Sequence, residues 1–376
     1  MNNVLKIAKL QLLCMILIMI PAYSFSSFRV QAEPAKQDDV IPFLQKLFND
    51  RTRLLMDQDK KHIEDYYLVK HNRSNYAYLH EMNRAEYIQE WAKHRKMKFV
   101  NAESSIRISR IEVLGDTAKV SLVQSLKLSY EYIDSYPGQH DFGIGTRHGI
   151  TLRKKDSRWY VEREWYSDPL EENPKKIEPL DSSFIPHKDS VPSEKVIHNY
   201  NRARAIDYAN KYAGITWGAG NRQRYNPKYL DYNSKGGDCT NFSSQVIGDK
   251  EEGGGLPMKS GWHYLYGNGG SQAWVQTDAF KNFLIRSGYG RIIGQGSFSD
   301  VVRAVNGQQH QYRPQLLPGD LIAYVLKGDV DHFSVVVGFD EGGYPLVNSH
   351  TADRFRVPFD LGWDRNTQYL LIHIQD

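Results

Sequence analysis

The chain has two cysteines, and the sequence around the second one suits a nucleophile. Cys14 lies in the apolar leader, whereas Cys239 follows the residues GGD and opens the segment CTNFSSQVI, whose apolar residues have helical spacing. A thiol in the first turn of a helix is near the positive end of the helix dipole. That position favours the thiolate, which is the form that attacks carbonyl carbons. The segment therefore predicts a nucleophilic thiol with a lowered pKa at a helix start.

A thiol nucleophile needs a base and a group that orients this base, and the sequence offers both. His332 opens the apolar run HFSVVVGF, so it is expected at the mouth of a strand. The next predicted strand, PLVNSH, places Asn348 and His350 on one face because side chains alternate along a strand. Either residue could fix the tautomer of His332, and the alternation does not choose between them.

Other residues near Cys239 are predicted to support the same site. The Cys239 N–H could donate to a developing oxyanion, and Asn233, six residues earlier, could add a side-chain donor. An ordinary turn asparagine is the simpler interpretation of Asn233. Asp238 is expected to cap the helix. Asn241 and Gln245 are expected to form structural hydrogen bonds in the wall of the site.

The region 194–376 supplies the elements that would hold these side chains. A helix is predicted over Asn201 to Tyr212, where the sequence is NRARAIDYANKY. Four strands are predicted downstream, over residues 321–326, 333–339, 345–349 and 368–374.

This region resembles the putative amidase domain family, which is related to the NlpC/P60 and CHAP papain-like hydrolases. The matching segments include YNRARAIDYANKYA, GGDCTNFSSQVI, LLPGDLIAYV, DHFSVVVGFD and LVNSHTADR. The resemblance implies a papain-like fold in which Cys239 attacks an amide carbonyl, His332 is the general base and no cofactor or metal is needed. The family pattern points to His350 as the third residue, whereas the papain arrangement points to Asn348. Because the related enzymes act on the cell wall, it also implies peptidoglycan peptides as substrate.

Residues 33–168 predict a separate α+β domain. Helical spacing runs from 38 to 98, and a period of two then predicts an antiparallel meander over 104–168. This order resembles cystatin-like or NTF2-like domains, in which a curved sheet wraps a helix. The histidines of this region lack ligand spacing and are expected at the surface. Five prolines over 169–193 predict a stiff linker, so few contacts should cross between the two domains.

Residues 1–32 have the features of a secretory signal. Lys6 and Lys9 precede an apolar run of 11 residues, and the segment ends in the small residue Ala32. The run is short for a membrane span, although an uncleaved anchor stays open. The protein is therefore expected outside the cytoplasm, either secreted or associated with the cell wall.

Composition and missing motifs exclude several function classes. Without the leader the chain carries 45 Lys+Arg against 44 Asp+Glu, which gives no basic surplus for nucleic-acid binding. The HExxH motif and closely spaced Cys/His pairs of zinc sites are missing, and the glycines at 253–255 lack the context of a phosphate loop. Two alternatives to a cell-wall amidase stay open. They are a non-catalytic wall-binding module and a secreted protease or acyltransferase with the same constellation.

Overall fold

The computed structural model leaves the predicted leader and most of the predicted linker outside the residues that it describes. No helix in the described part is long and apolar enough to cross a membrane. The described residues are 39–133, 138–166, 170, 173–180, 200–214, 225–305, 316–351 and 353–375.

The N-terminal region consists of two helices followed by a four-stranded antiparallel meander, which confirms the predicted α+β order. The hairpin between the last two strands turns at Asp156 and Ser157, whose φ angles of 49° and 62° suit a two-residue turn of type I′. The elements are α1 (Val40–Asp57), α2 (Asn72–His94), β1 (Met97–Leu114), β2 (Thr117–Tyr132), β3 (His140–Lys155) and β4 (Arg158–Tyr166).

The C-terminal region contains more strands than the sequence predicted. The predicted bounds of three strands are confirmed, β9 begins four residues earlier than predicted, and β7 and β11 were missed because their sequences, GRIIGQG and DRFRVP, lack a clear apolar alternation. The helices are α3 (Arg202–Lys211), α4 (Cys239–Gly248), α5 (Gln272–Val275), α6 (Thr277–Ser287) and α7 (Phe298–Val305). The strands are β5 (Tyr264–Leu265), β6 (Gly269–Gly270), β7 (Gly290–Gly296), β8 (Leu321–Leu326), β9 (Asp329–Phe339), β10 (Pro345–Ser349), β11 (Asp353–Pro358) and β12 (Gln368–Ile374).

One long antiparallel sheet joins the two regions. Its order is β1-β2-β3-β11-β10-β9-β8-β12-β7, with β4 paired to β3. Strand β4 covers only the second half of β3, and β11 pairs with the first half, where Arg354 is opposite Ile144. The prediction that few contacts cross between the two domains is therefore wrong. The linker composition could not reveal this, because the edge of β3 is completed by a strand about 200 residues away.

Buried polar contacts also connect the regions. The hydroxyl of Tyr130 donates to Asp340 over 2.6 Å, and Arg95, which follows α2, forms an ion pair with Asp360 over 2.6 Å. One cluster of buried apolar side chains contains Trp91 and Val336 together. The two regions therefore share a core.

The expectation that the histidines of the N-terminal region lie at the surface is wrong for His148. Its side chain is 2% exposed, and its Nδ1 is 2.8 Å from Glu164 Oε1. Glu164 also pairs with the buried Arg51. Burial acts to raise the pKa of the Glu164 carboxyl, and the charge of Arg51 is the main effect that opposes it. The pKa is held well below its usual range. Sequence spacing misses this group because its members come from a helix and two strands.

The two faces of the C-terminal part of the sheet carry different sets of elements. Phe333 and Val335 of β9 face the cluster that contains Phe242 of α4. Tyr324 and Val336 face the opposite cluster, which also holds residues of the N-terminal region. Which face a side chain takes therefore decides whether it can reach the start of α4.

Candidate active site

Cys239 is the first residue of α4 and is 7% exposed. The backbone N–H groups of Phe333 and Thr240 lie near its sulfur and act to lower the pKa of the thiol, and the sulfur is 3.8 Å from the Thr240 hydroxyl oxygen. The sulfur therefore lies near the backbone of Phe333, the residue that follows His332. The chain enters the helix through Gly236 and Gly237, whose φ angles of 109° and 131° are strained for any other residue.

The predicted lowering of the Cys239 pKa is wrong. Burial raises the pKa of the thiol, while the N–H groups of Phe333 and Thr240 lower it, and burial has the larger effect. A helix dipole contributes about 0.3–1 kcal/mol, which is small beside the cost of burying a thiolate. The thiol is therefore protonated at neutral pH.

We expect Cys239 to react with iodoacetamide more slowly at pH 7 than free glutathione does. Because its pKa is raised, a smaller fraction of it is thiolate at any pH below that pKa, and the rate should keep rising above about pH 8.5, where an ordinary cysteine is half ionised. The measurement is the labelling rate of the Cys239 peptide between about pH 6 and pH 10, scaled to its own plateau. A midpoint below that of glutathione would contradict the raised pKa.

The imidazole of His332 lies on the opposite face of the sheet from α4. Its ring centroid is 5.7 Å from that of Tyr324 and 5.6 Å from that of Trp363. Its Nε2 is buried and has no hydrogen-bond partner among the described residues. Burial and the positive charge of Arg354 lower the pKa of His332 to about 3. The ring is therefore neutral, and within the described residues no hydrogen bond joins it to Cys239.

The prediction that Asn348 or His350 orients His332 is wrong. Asn348 is in register with Val335, three residues along β9 from His332, and an odd separation places two side chains on opposite faces of a strand. The Asn348 amide instead donates to the Ala209 carbonyl oxygen over 3.0 Å, and its oxygen accepts from the Arg356 N–H over 2.7 Å. Asn348 therefore ties β10 and β11 to α3.

His350 holds the residue that precedes the nucleophile. Its Nδ1 is 2.6 Å from Asp238 Oδ2, and its Nε2 is 2.6 Å from the Tyr212 carbonyl oxygen. A carboxylate and a carbonyl oxygen only accept hydrogen bonds, so the ring satisfies both when both nitrogens carry protons. The ring is stacked between Tyr225 and Phe242, with centroid distances of 3.4 and 3.9 Å.

Asp238 occupies the N-cap position of α4, but the prediction that its side chain caps the helix is wrong. Its Oδ1 accepts from the Tyr232 N–H over 2.8 Å and from the Asn241 side-chain amide over 2.9 Å. Its other oxygen faces His350. The carboxylate is therefore used to fix the turn before Cys239, and the imidazole outcompetes the helix N–H groups for it.

Asn233 is engaged away from the thiol. Its amide nitrogen donates to Asp231 over 2.7 Å and to the Tyr225 hydroxyl over 3.3 Å, and its oxygen accepts from the Thr351 hydroxyl over 2.7 Å. Because both amide protons are used, the prediction that Asn233 donates to an oxyanion is contradicted.

Asn241 and Gln245 lie in the wall beneath the start of α4. The Asn241 oxygen accepts from the Trp274 indole N–H over 3.0 Å, and its amide donates to the Leu230 carbonyl oxygen over 2.9 Å. The Gln245 oxygen accepts from the Tyr208 hydroxyl over 2.8 Å. Both side chains are buried, and these bonds hold the surrounding loops against α4.

Three residues border the site as a group that the sequence did not reveal. Tyr225, Asp353 and Arg147 contact one another beside His350, and Arg147 belongs to β3 of the N-terminal region. Only the pairing of β3 with β11 brings them together, and no sequence signal reveals that pairing. In the described part of the chain, no group of three or more His, Cys, Asp or Glu side chains is placed to hold a metal ion.

Comparison with known proteins finds similarity in the region that carries this site. Residues 199–372 match the family model described as Putative amidase domain. Uncharacterized protein YhbB of Bacillus subtilis (strain 168) is 32% identical over 189 residues, which are 47% of this chain and 51% of that protein. The chain therefore spans about half the length of this curated relative.

Several solved structures align with about a third of the chain at low scores. The intermembrane space region of the chloroplast protein ARC6 is 9% identical and covers 35% of this chain and 95% of its own, with a TM-score of 0.26. An NTF2-like protein from Cytophaga hutchinsonii is 13% identical and covers 35% of this chain and 97% of its own, with a TM-score of 0.21. Similarity at this level assigns no activity.

Proposed function

We propose that this protein is a thiol-dependent amide hydrolase with Cys239 as its nucleophile in a papain-like C-terminal region. One observation carries the proposal. The thiol opens α4 and lies near the backbone N–H of Phe333, the residue directly after His332, inside the segment that matches the amidase family. A thiol at a helix start has backbone N–H groups beside it that can stabilise an oxyanion, which suits acyl transfer.

His332 is the base in this proposal, and its ring must first turn toward α4. The Cβ of His332 points away from α4, so the imidazole reaches the thiol only if the β-bulge at Asp331 moves past His332 and turns its side chain to the face that carries Val330. The neutral ring takes the thiol proton as the sulfur attacks the amide carbonyl, and it passes that proton to the departing amine. Water then hydrolyses the thioester. The N–H groups in the first turn of α4 would stabilise the oxyanion.

Peptides of cell-wall peptidoglycan are the proposed substrate, and the leader-like residues 1–32 would bring the protein to them. We expect purified sacculi incubated with the full-length mature protein to release muropeptides with new amino and carboxyl termini, which mass spectrometry identifies. A Cys239→Ala sample is the matched control. Unchanged muropeptides would remove peptidoglycan as substrate. Cleavage of proteins, or transfer of an acyl group to added amines, would instead indicate the secreted protease or acyltransferase.

A wall-binding module without turnover is the second candidate function. It is favoured by the separation of the His332 ring from the thiol and by the pKa changes that keep both groups neutral. In that case the protein would sediment with sacculi, release no new termini, and bind equally well as the Cys239→Ala variant.

A further inference from the structure

We infer that Arg147, a residue of the N-terminal region, is a positioning residue for the Cys239 site. Arg147 lies on β3, which pairs with β11. Strand β11 also pairs with β10, the strand that ends just before His350. The C-terminal region alone lacks this side chain. Only the expected effect on turnover rests on the proposed function.

Arg147 holds two side chains that border the site. Its Nη2 donates to the Tyr225 hydroxyl over 2.8 Å and is 3.3 Å from Asp353 Oδ2. The Tyr225 hydroxyl also donates to Asp353. The Asp353 side chain is 2% exposed, whereas that of Arg147 is 41% exposed. The positive charge of the partly exposed arginine therefore compensates the negative charge of the buried carboxylate.

Tyr225 transmits this restraint to the nucleophile through His350. The two rings are stacked with a centroid distance of 3.4 Å and an interplanar angle of 9°, and the other ring nitrogen contacts fix His350 to Asp238 and Tyr212. Gly214 leaves room for the Tyr225 ring, since a Cβ at that position would collide with it. The first route therefore runs from Arg147 through Tyr225 and His350 to Asp238, which is the neighbour of Cys239.

A second route leads from Tyr225 to the same residue. The Tyr225 hydroxyl accepts from Asn233, and the Asn233 oxygen accepts from the Thr351 hydroxyl over 2.7 Å. The Thr351 oxygen in turn accepts from the Asp238 N–H over 2.5 Å. Both the side chain and the backbone of Asp238 therefore depend on where Tyr225 is held.

The proposed effect on Cys239 follows from what holds its sulfur. Cys239 keeps its place at the start of α4 while its neighbour Asp238 is held by Tyr232, Asn241 and His350, and the nearby N–H groups of Phe333 and Thr240 then act to lower the pKa of the thiol. Replacing Arg147 removes the cation that pairs with Asp353 and one hydrogen-bond donor to the Tyr225 hydroxyl. Both chains of contacts that lead from Tyr225 to Asp238 are then less restrained. The thiol then moves relative to the N–H groups that favour the thiolate.

The test compares Arg147→Met and Arg147→Lys in the full-length mature protein, with Arg153→Gln as the control. Arg153 also lies on β3, but its partner is Glu162 at the surface. We expect Arg147→Met to lower kcat about tenfold with KM changed by less than about twofold, and to move the alkylation midpoint of Cys239 upward. Arg147→Lys keeps a cation for Asp353 and should recover part of both effects, whereas Arg153→Gln should change neither.

The alkylation profile separates this inference from the proposed function. If the protein with its native sequence releases nothing from sacculi, the proposed function fails, and the shift in the alkylation midpoint still tests the role of Arg147. The inference is overturned if Arg147→Met lowers only the melting temperature and leaves kcat and the midpoint unchanged. An equal shift in Arg153→Gln would also overturn it.

Discussion

Replacing Cys239 with alanine should reduce amide hydrolysis by at least about 10³-fold, because the covalent route disappears and only the helix-start N–H groups are left to act on the substrate. The protein should stay folded. The thiol is small and 7% exposed, and loss of its sulfur should lower the free energy of unfolding by about 1 kcal/mol. The measurement is release of peptide termini from sacculi, alongside urea unfolding followed by circular dichroism.

Cys239→Ser is the second variant of this test, since it keeps a hydrogen-bonding atom of similar size at the start of α4. We expect it to be folded and almost as inactive as the alanine variant, because a serine hydroxyl is a far weaker nucleophile at neutral pH. Retention of full activity in either variant would exclude a thiol mechanism. Equal binding of sacculi by all three proteins, with no turnover in any of them, would establish the binding module instead.

The sequence predicted the elements of the fold well where one segment determines its own structure. The apolar period of β8, β10 and β12 sets their ends, and the glycines before Cys239 with the apolar residues after it set the start of α4. Such features depend on neighbours in the chain, which a sequence displays directly.

Relations between distant segments were not predictable in the same way. The sequence places Asn348 and His350 on one face of the sheet, and the structure agrees. Whether the side chain of His332 on β9 points to that same face depends on the register between the two strands. The pairing of β9 with β10 shifts its register between Leu346 and Val347, and such an irregularity is invisible in a single sequence. The sequence therefore indicates the chemistry of these residues, but not which other residues they contact.

The pKa of Cys239 shows the same limit in electrostatic terms. A helix start predicts a lowered pKa, since the dipole is a local property of the helix. Burial depends on what β9 and the surrounding loops place over the thiol, and here it reverses the sign of the shift. The sequence shows the local effect of the helix dipole on the pKa, but not the larger effect of burial.

Replacing Asp360 with alanine should destabilise the whole chain, because this carboxylate is shared between the two regions. It lies 2.6 Å from Arg95 Nη2 and accepts from the Trp91 indole over 3.0 Å and from the Tyr344 hydroxyl over 2.5 Å. Both side chains of the ion pair are almost fully buried, at 2% and 3% exposure. Removing one partner leaves Arg95 as an uncompensated buried charge, which should lower the free energy of unfolding by about 3–5 kcal/mol.

Urea unfolding of the Asp360→Ala variant should remain one transition, observed at the same midpoint by N-terminal and C-terminal probes, because the sheet and core are continuous. The double variant Arg95→Met with Asp360→Leu should lose less stability than Asp360→Ala, since it leaves no buried charge. Glu112→Gln, which breaks the exposed pair with Arg110, should cost less than about 1 kcal/mol. Two separate transitions, of which only one responds to Asp360→Ala, would restore the picture of two independent domains joined by a linker. That result would also remove the physical route by which Arg147 could act on Cys239, because strand β3 would no longer be held against β11.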